Sequence, residues 1–123
     1  MPVRGIRGAT TISKDTSEQV LKETKDLFLE IMKKNPTLET KDVSSVIFSA
    51  TDDIQSQYPA RAARELGWVD VPLLCVQEMH IEGSMRSVIR LLIHWNTDLQ
   101  QASVHHVYLK DAQKLRPDLI REE

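Results

Sequence analysis

The chain has 123 residues, a length that suits one domain with its own core and is short for two. With 41% hydrophobic and 28% charged residues it reads as an ordinary globular chain, and a formal net charge of −2 excludes the basic footprint of a nucleic-acid binder. No apolar run approaches the ~20 residues that span a bilayer, and "MPVRGIRGATT" lacks the apolar centre of a secretion signal, so a cytoplasmic protein without a membrane partner is expected. The single cysteine, Cys75, forms no internal disulfide, which fits a reducing compartment.

Small and β-branched residues in "PVRGIRGATTI" predict a first strand with Val3, Gly5, Arg7 and Ala9 on one face. "DTSEQVLKETKDLFLEIMKKN" predicts a long helix, opened by a capping box at Thr16 and Gln19 and stopped by Pro36. Its apolar stripe is Val20, Leu21, Thr24, Leu27, Phe28, Ile31 and Met32, which should cover a sheet. "VSSVIFSAT" predicts a second strand, "DDIQSQ" a polar loop, and "YPARAARELG" a short helix with Pro59 in its first turn and Gly67 past its end. "VPLLCVQEM" predicts a third strand, and Met85–Trp95 a fourth, paired with the third as a hairpin across "EGS". "VHHVYL" predicts a fifth strand, and "KDAQKLRPDL" a closing turn or helix stopped by Pro117. These elements make an α+β fold, a mixed five-stranded sheet with helices on one face, as one domain over residues 1–123. The other face, carrying Arg90, is left for another copy of the chain.

Arg90 carries the functional question. In "VIRLLIHW" the alternation puts Ile89, Leu91, Ile93 and Trp95 on one apolar face, while Val88, Arg90, Leu92 and His94 share the other. A partly buried guanidinium cannot neutralise itself, so Arg90 needs a carboxylate, either from the protein as a structural ion pair or from a ligand. Charge distribution favours neither alone, but it is uneven: residues 14–41 carry six lysines and no arginine, and the arginines lie elsewhere. Arginine presents a planar fork that matches carboxylates, so this segregation hints at a site for a small organic anion. Glu78 could simply be Arg90's partner across the hairpin. Cys75 has an ordinary reading as a small buried hydrophobe, and regular alternation turns it away from Glu78. Tyr108 reads as a half-buried strand residue with a wet hydroxyl. His105 and His106 are adjacent and point to opposite faces, so they cannot chelate a metal together without a bulge. The residues alone therefore reach an anion pocket of Arg, Glu, Tyr and Cys, with no nucleophile, phosphate loop or metal cage.

Taken in order, "RGIRGATT", "YPARAARELGW", "VPLLCVQEM", the Arg of the next strand, "HVYL" and "LRPDL" resemble the small AroH-type chorismate mutases over nearly the whole chain. The resemblance implies a homotrimer forming a pseudo α/β barrel, with active sites at subunit interfaces, and no cofactor or metal. It implies an intramolecular [3,3] rearrangement of chorismate to prephenate in phenylalanine and tyrosine biosynthesis. Arg90 would meet the ether oxygen of the breaking bond and a substrate carboxylate. Arg7 and Tyr108 would bind a carboxylate, and Glu78 and Cys75 would meet the ring hydroxyl. Tyr58, Ala60, Arg61 and Arg64 would come from the neighbouring subunit, and a flexible tail of about residues 110–123, with Leu115 and Arg116, would close the pocket. Tyr58 stands where Phe is familiar in the family and Arg61 where Lys is. Two rival readings share the interfacial geometry: a non-catalytic trimeric module for small carboxylates, and an enamine or imine deaminase of similar fold.

Overall fold

The computed structural model describes residues 1–115. Strands β1 (Val3–Thr11), β2 (Val43–Ala50), β3 (Leu73–Gln77), β4 (Val88–Asn96) and β5 (Val107–Tyr108) form one mixed sheet in the order β3-β2-β4-β1-β5. Helices α1 (Ser17–Lys34) and α2 (Ala60–Glu65) supply the side chains that pack one face of it.

Helix α1 begins where its sequence says it should. Thr16 accepts the backbone N–H of Gln19 at 3.1 Å, but Gln19 does not complete the box on Thr16; its amide turns back to Ser13 instead. Val20, Thr24, Leu27, Phe28 and Ile31 are buried as their spacing requires, while Leu21 and Met32 stay at the margin. Glu23 is buried among them, which the apolar stripe did not anticipate. Phe28 packs edge-on against Trp68 at 4.8 Å and tilted against Phe48 at 5.8 Å, so the helix, the α2 connection and the sheet share one aromatic centre.

In β4 the alternation holds. Ile89, Leu91, Ile93 and Trp95 are buried, whereas Arg90, Leu92 and His94 are half-buried on the opposite face; Val88, expected with them, is buried at the start of the strand. The predicted hairpin does not form. β3 pairs in parallel with β2, and β4 runs antiparallel on the other side of β2 and antiparallel to β1. Helix α2 explains why: it makes β2-α2-β3 a crossover unit, and such a connection returns the chain parallel to its starting strand. β4, whose core face is wholly apolar, then takes the centre of the sheet. The fifth strand is also shorter than expected. Only Val107–Tyr108 pair with β1, and upstream the edge of β1 is satisfied by side chains: Gln101 exchanges two hydrogen bonds with the Gly5 backbone, and His106 Nδ1 accepts the Arg7 N–H at 2.9 Å. The closing element is a 3-10 helix at Lys110–Lys114; Pro117 lies outside the described residues.

Gly8 sets the distance between α1 and the sheet. A Cβ there would lie 2.9 Å from Ile31 Cδ1 and 3.1 Å from Leu91 Cδ1. Alanine needs only the tip of Ile31 to yield, but valine adds two further methyls to the same crowded point. Gly8→Val should therefore lower unfolding stability by about 1–3 kcal/mol through overpacking, measurable as a fall in urea midpoint at unchanged m value.

Candidate active site

Register across the sheet places the site. Tyr108 sits beside Ala9, Ala9 beside Arg90, Arg90 beside Ser49, and Ser49 beside Val76. Paired residues share a face, so these five form a row across the side opposite the helices. Arg7, Leu92, Ile47 and Leu74 form the next row. Small neighbours on both sides, Ala9 and Ser49, leave room around the Arg90 guanidinium. The result is an open cleft of about 200 Å³ lined by Arg7, Ile47, Ser49, Arg90, Leu92 and Tyr108 among others.

Glu78 reaches this cleft by the same alternation. Its N–H pairs with the Ala50 carbonyl at 2.9 Å, which carries the β2–β3 ladder one residue past β3, and its carboxylate comes 2.9 Å from Arg90 Nε. The partnership proposed for a hairpin thus exists, but it spans β2 from the far side. Among the described residues it is an ion pair without a hydrogen bond: Arg90 Nε is buried, and the carboxylate lies off its N–H direction. Arg7 is exposed and, among the described residues, forms no ion pair.

Cys75 faces the other way. It pairs with Phe48 on the helix side of the sheet and opens into a second cleft, of about 540 Å³, with Tyr58, Pro59, residues 50–52 and residues 54–57. Burial pushes its thiol above the ordinary range, only partly offset by the Ala60 N–H and the Arg64 charge. Within one chain, therefore, Cys75 and Glu78 do not meet at one group. Tyr58 is exposed at the mouth of the second cleft, and Ala60 is buried in the first turn of α2. Arg61 binds Glu65 at 2.9 Å, Lys25 holds the same carboxylate at 2.7 Å, and the two cations, Lys25 foremost, lower the Glu65 carboxyl below the usual range. Arg64 is exposed with no ion pair among the described residues. Leu115 packs against the cluster of Ala9, Tyr108 and Ala112, at the edge of the first cleft; Arg116 lies outside the described residues.

The turn after β2 and the segment that enters β4 are tied together by the carboxylates of Asp52 and Asp53. Asp53 accepts Thr51 Oγ1 at 2.5 Å and Ser87 Oγ at 2.7 Å, stabilising Ser87 at φ 58° where the chain enters β4. Burial raises the Asp53 carboxyl, but these hydrogen bonds outweigh it and leave it below the ordinary range. Arg86 pairs with Asp52 and approaches His80 at 3.0 Å, bracing the segment that follows Glu78.

Residue-by-residue reasoning missed Ile47 and Ser49 as cleft wall, although Ser45, Ile47 and Ser49 alternate on one face of β2 and could have been found from that period. His105 and His106 have other work: the His105 backbone is held at both ends by Asn35, and His106 supports Arg7. Among the described residues no helix is long and apolar enough to cross a membrane.

Comparison with known proteins gives one answer. Residues 3–119 match the family model for chorismate mutase type I. The chain is 46% identical over 117 residues to chorismate mutase AroH of Thermus thermophilus, covering 95% of this chain and 96% of that one. It is 45% identical over 120 residues to chorismate mutase AroH of Bacillus subtilis, covering 97% and 94%. A solved chorismate mutase from Clostridium thermocellum superposes with a TM-score of 0.86 at 41% identity, covering 89% of this chain and 97% of that one. These matches favour a mutase over a passive carboxylate-binding module or a deaminase. Fold, cleft and sequence agree: the chain belongs to the type I chorismate mutases.

Proposed function

We propose that the protein converts chorismate to prephenate for phenylalanine and tyrosine synthesis in the cytoplasm, in pockets built between subunits of a homotrimer. The observation that carries the mechanism is Arg90: a guanidinium on the central strand, flanked by Ala9 and Ser49, with a buried Nε that makes no hydrogen bond among the described residues. In the rearrangement the ether C–O bond breaks as a C–C bond forms within one molecule, so no proton, electron or group is exchanged with the protein. Negative charge grows on the ether oxygen, and a cation already fixed there stabilises the transition state more than the substrate. Arg7 and Tyr108 take a carboxylate and Glu78 the ring hydroxyl, which folds the flexible side chain over the ring before reaction.

Two features support an interfacial pocket. A cleft of about 200 Å³ is smaller than the ~300–1,000 Å³ usual for a small-molecule site, and it lies on an open sheet face. That face also exposes Val3, Ile47, Leu74 and Val76, apolar side chains that a second copy of the chain would cover. The neighbour would bring its own Cys75, Tyr58, Ala60, Arg61 and Arg64 from the second cleft, and the tail, with Leu115 and Arg116, would close over both. The trimer so formed is the pseudo-barrel.

Loss of chorismate absorbance on adding purified protein tests the activity, and its pH dependence tests the mechanism. With arginines as the cations and no proton in flight, kcat should stay within about twofold from about pH 6 to 9. A bell-shaped profile in that range, at constant oligomeric state, would require a titrating catalyst and overturn this account.

A further inference from the structure

A carboxylate on the buried face of α1 has no part in the chemistry above. Glu23 lies between Val20 and Leu27 with its side chain only 7% exposed, and burial of a carboxylate is costly unless cations or hydrogen-bond donors meet it. Lys110 Nζ lies 2.8 Å from one oxygen, and Lys22, on the same helix, lies 3.4 Å from the other. The shorter contact joins α1 to a residue distant in sequence, at the point where the chain leaves β5. Lys110 there adopts φ 52°, a left-handed conformation that a lysine takes only against a cost. Just before it, the Leu109 N–H donates to the Ala9 carbonyl at 2.9 Å. Just after it, the 3-10 helix turns back so that Ala112 is fully buried and Leu115 packs with Tyr108 and Ala9.

We infer that Glu23 and Lys110 are positioning residues: their ion pair holds the left-handed turn that sets Tyr108, backed by Leu115, as one wall of the Arg7–Arg90 cleft. The inference rests on the reading of Tyr108 as a substrate-binding residue. Losing the pair loosens the wall without touching the cation at the ether oxygen, so substrate binding suffers and turnover does not.

Steady-state kinetics of the full chain on chorismate, with melting temperatures alongside, separate this from simple bracing. Lys110→Met and Glu23→Gln should each raise KM about five- to tenfold with kcat within about twofold. The double variant should be no worse than either single one, since both remove the same contact. Lys110→Arg keeps the charge and should keep KM. Unchanged KM in both single variants, even with lowered melting temperature, would overturn the inference, as would effects that simply add in the double variant. Tyr108→Phe identifies which idea has failed. A raised KM there beside normal KM in Lys110→Met overturns the positioning role alone, whereas a normal KM in Tyr108→Phe removes the wall itself.

Discussion

Arg90→Lys is expected to lower kcat nearly as far as Arg90→Ala, by on the order of a hundred- to a thousandfold, or about 3–4 kcal/mol of transition-state stabilisation. The reason lies in what surrounds the side chain. Arg90 projects from a central strand between Ala9 and Ser49, with Glu78 2.9 Å from its Nε. A planar fork can rest one edge near that carboxylate and still offer donors to the ether oxygen and a substrate carboxylate. A lysine is a point charge on a flexible stem. It would settle on Glu78, the anion always present, and leave the ether oxygen without a partner in the transition state. Single-turnover rates at saturating chorismate, on variants with native circular dichroism and native oligomeric state, make the comparison. Near-normal turnover in Arg90→Lys would mean that positive charge alone suffices and that the geometry of the fork is incidental.

Activity should also reappear when two inactive proteins are mixed. Arg7, Glu78, Arg90 and Tyr108 belong to the open sheet face, whereas Arg61 and Arg64 stand on α2, on the side where Cys75 and Tyr58 line the second cleft. If the chain forms a trimer in which each pocket joins the open face of one chain to the α2 side of its neighbour, Arg90→Ala homotrimers lack one half of every pocket. Homotrimers of Arg61→Ala/Arg64→Ala lack the other. Mixed trimers contain some interfaces with two intact halves. Unfolding and refolding the two proteins together should therefore regenerate activity that neither recovers alone. Loss of Arg61 removes its i,i+4 pair with Glu65 inside α2 and leaves that carboxylate to Lys25 of α1, so the helix variant must first be verified as folded and trimeric. Verified mixed trimers without recovered activity would place the complete site within one chain and end the interfacial proposal.

Much of this was legible in the chain because it depends on neighbours a few residues apart. The period of two in "VIRLLIHW" put Arg90 opposite a buried apolar face, and the capping residue and apolar spacing placed α1 to within two residues at its start. Alternation alone also turned Cys75 away from Glu78, as the sheet then does. Family resemblance supplied the chemistry, since nothing in the spacing of Arg7, Glu78, Arg90 and Tyr108 states that they converge. Tertiary structure decided which strands lie side by side. β3 joins β2 rather than β4 because the α2 crossover favours a parallel return, and the gap of residues 78–87 is long enough to carry the chain past β2 to the centre of the sheet. It also decided that Ala9 and Ser49 flank Arg90, and that Glu23 meets Lys110 across most of the chain. Local periodicity is written in a few successive side chains; strand order and such distant pairings depend on how the whole chain buries its apolar faces at once, which no short stretch contains.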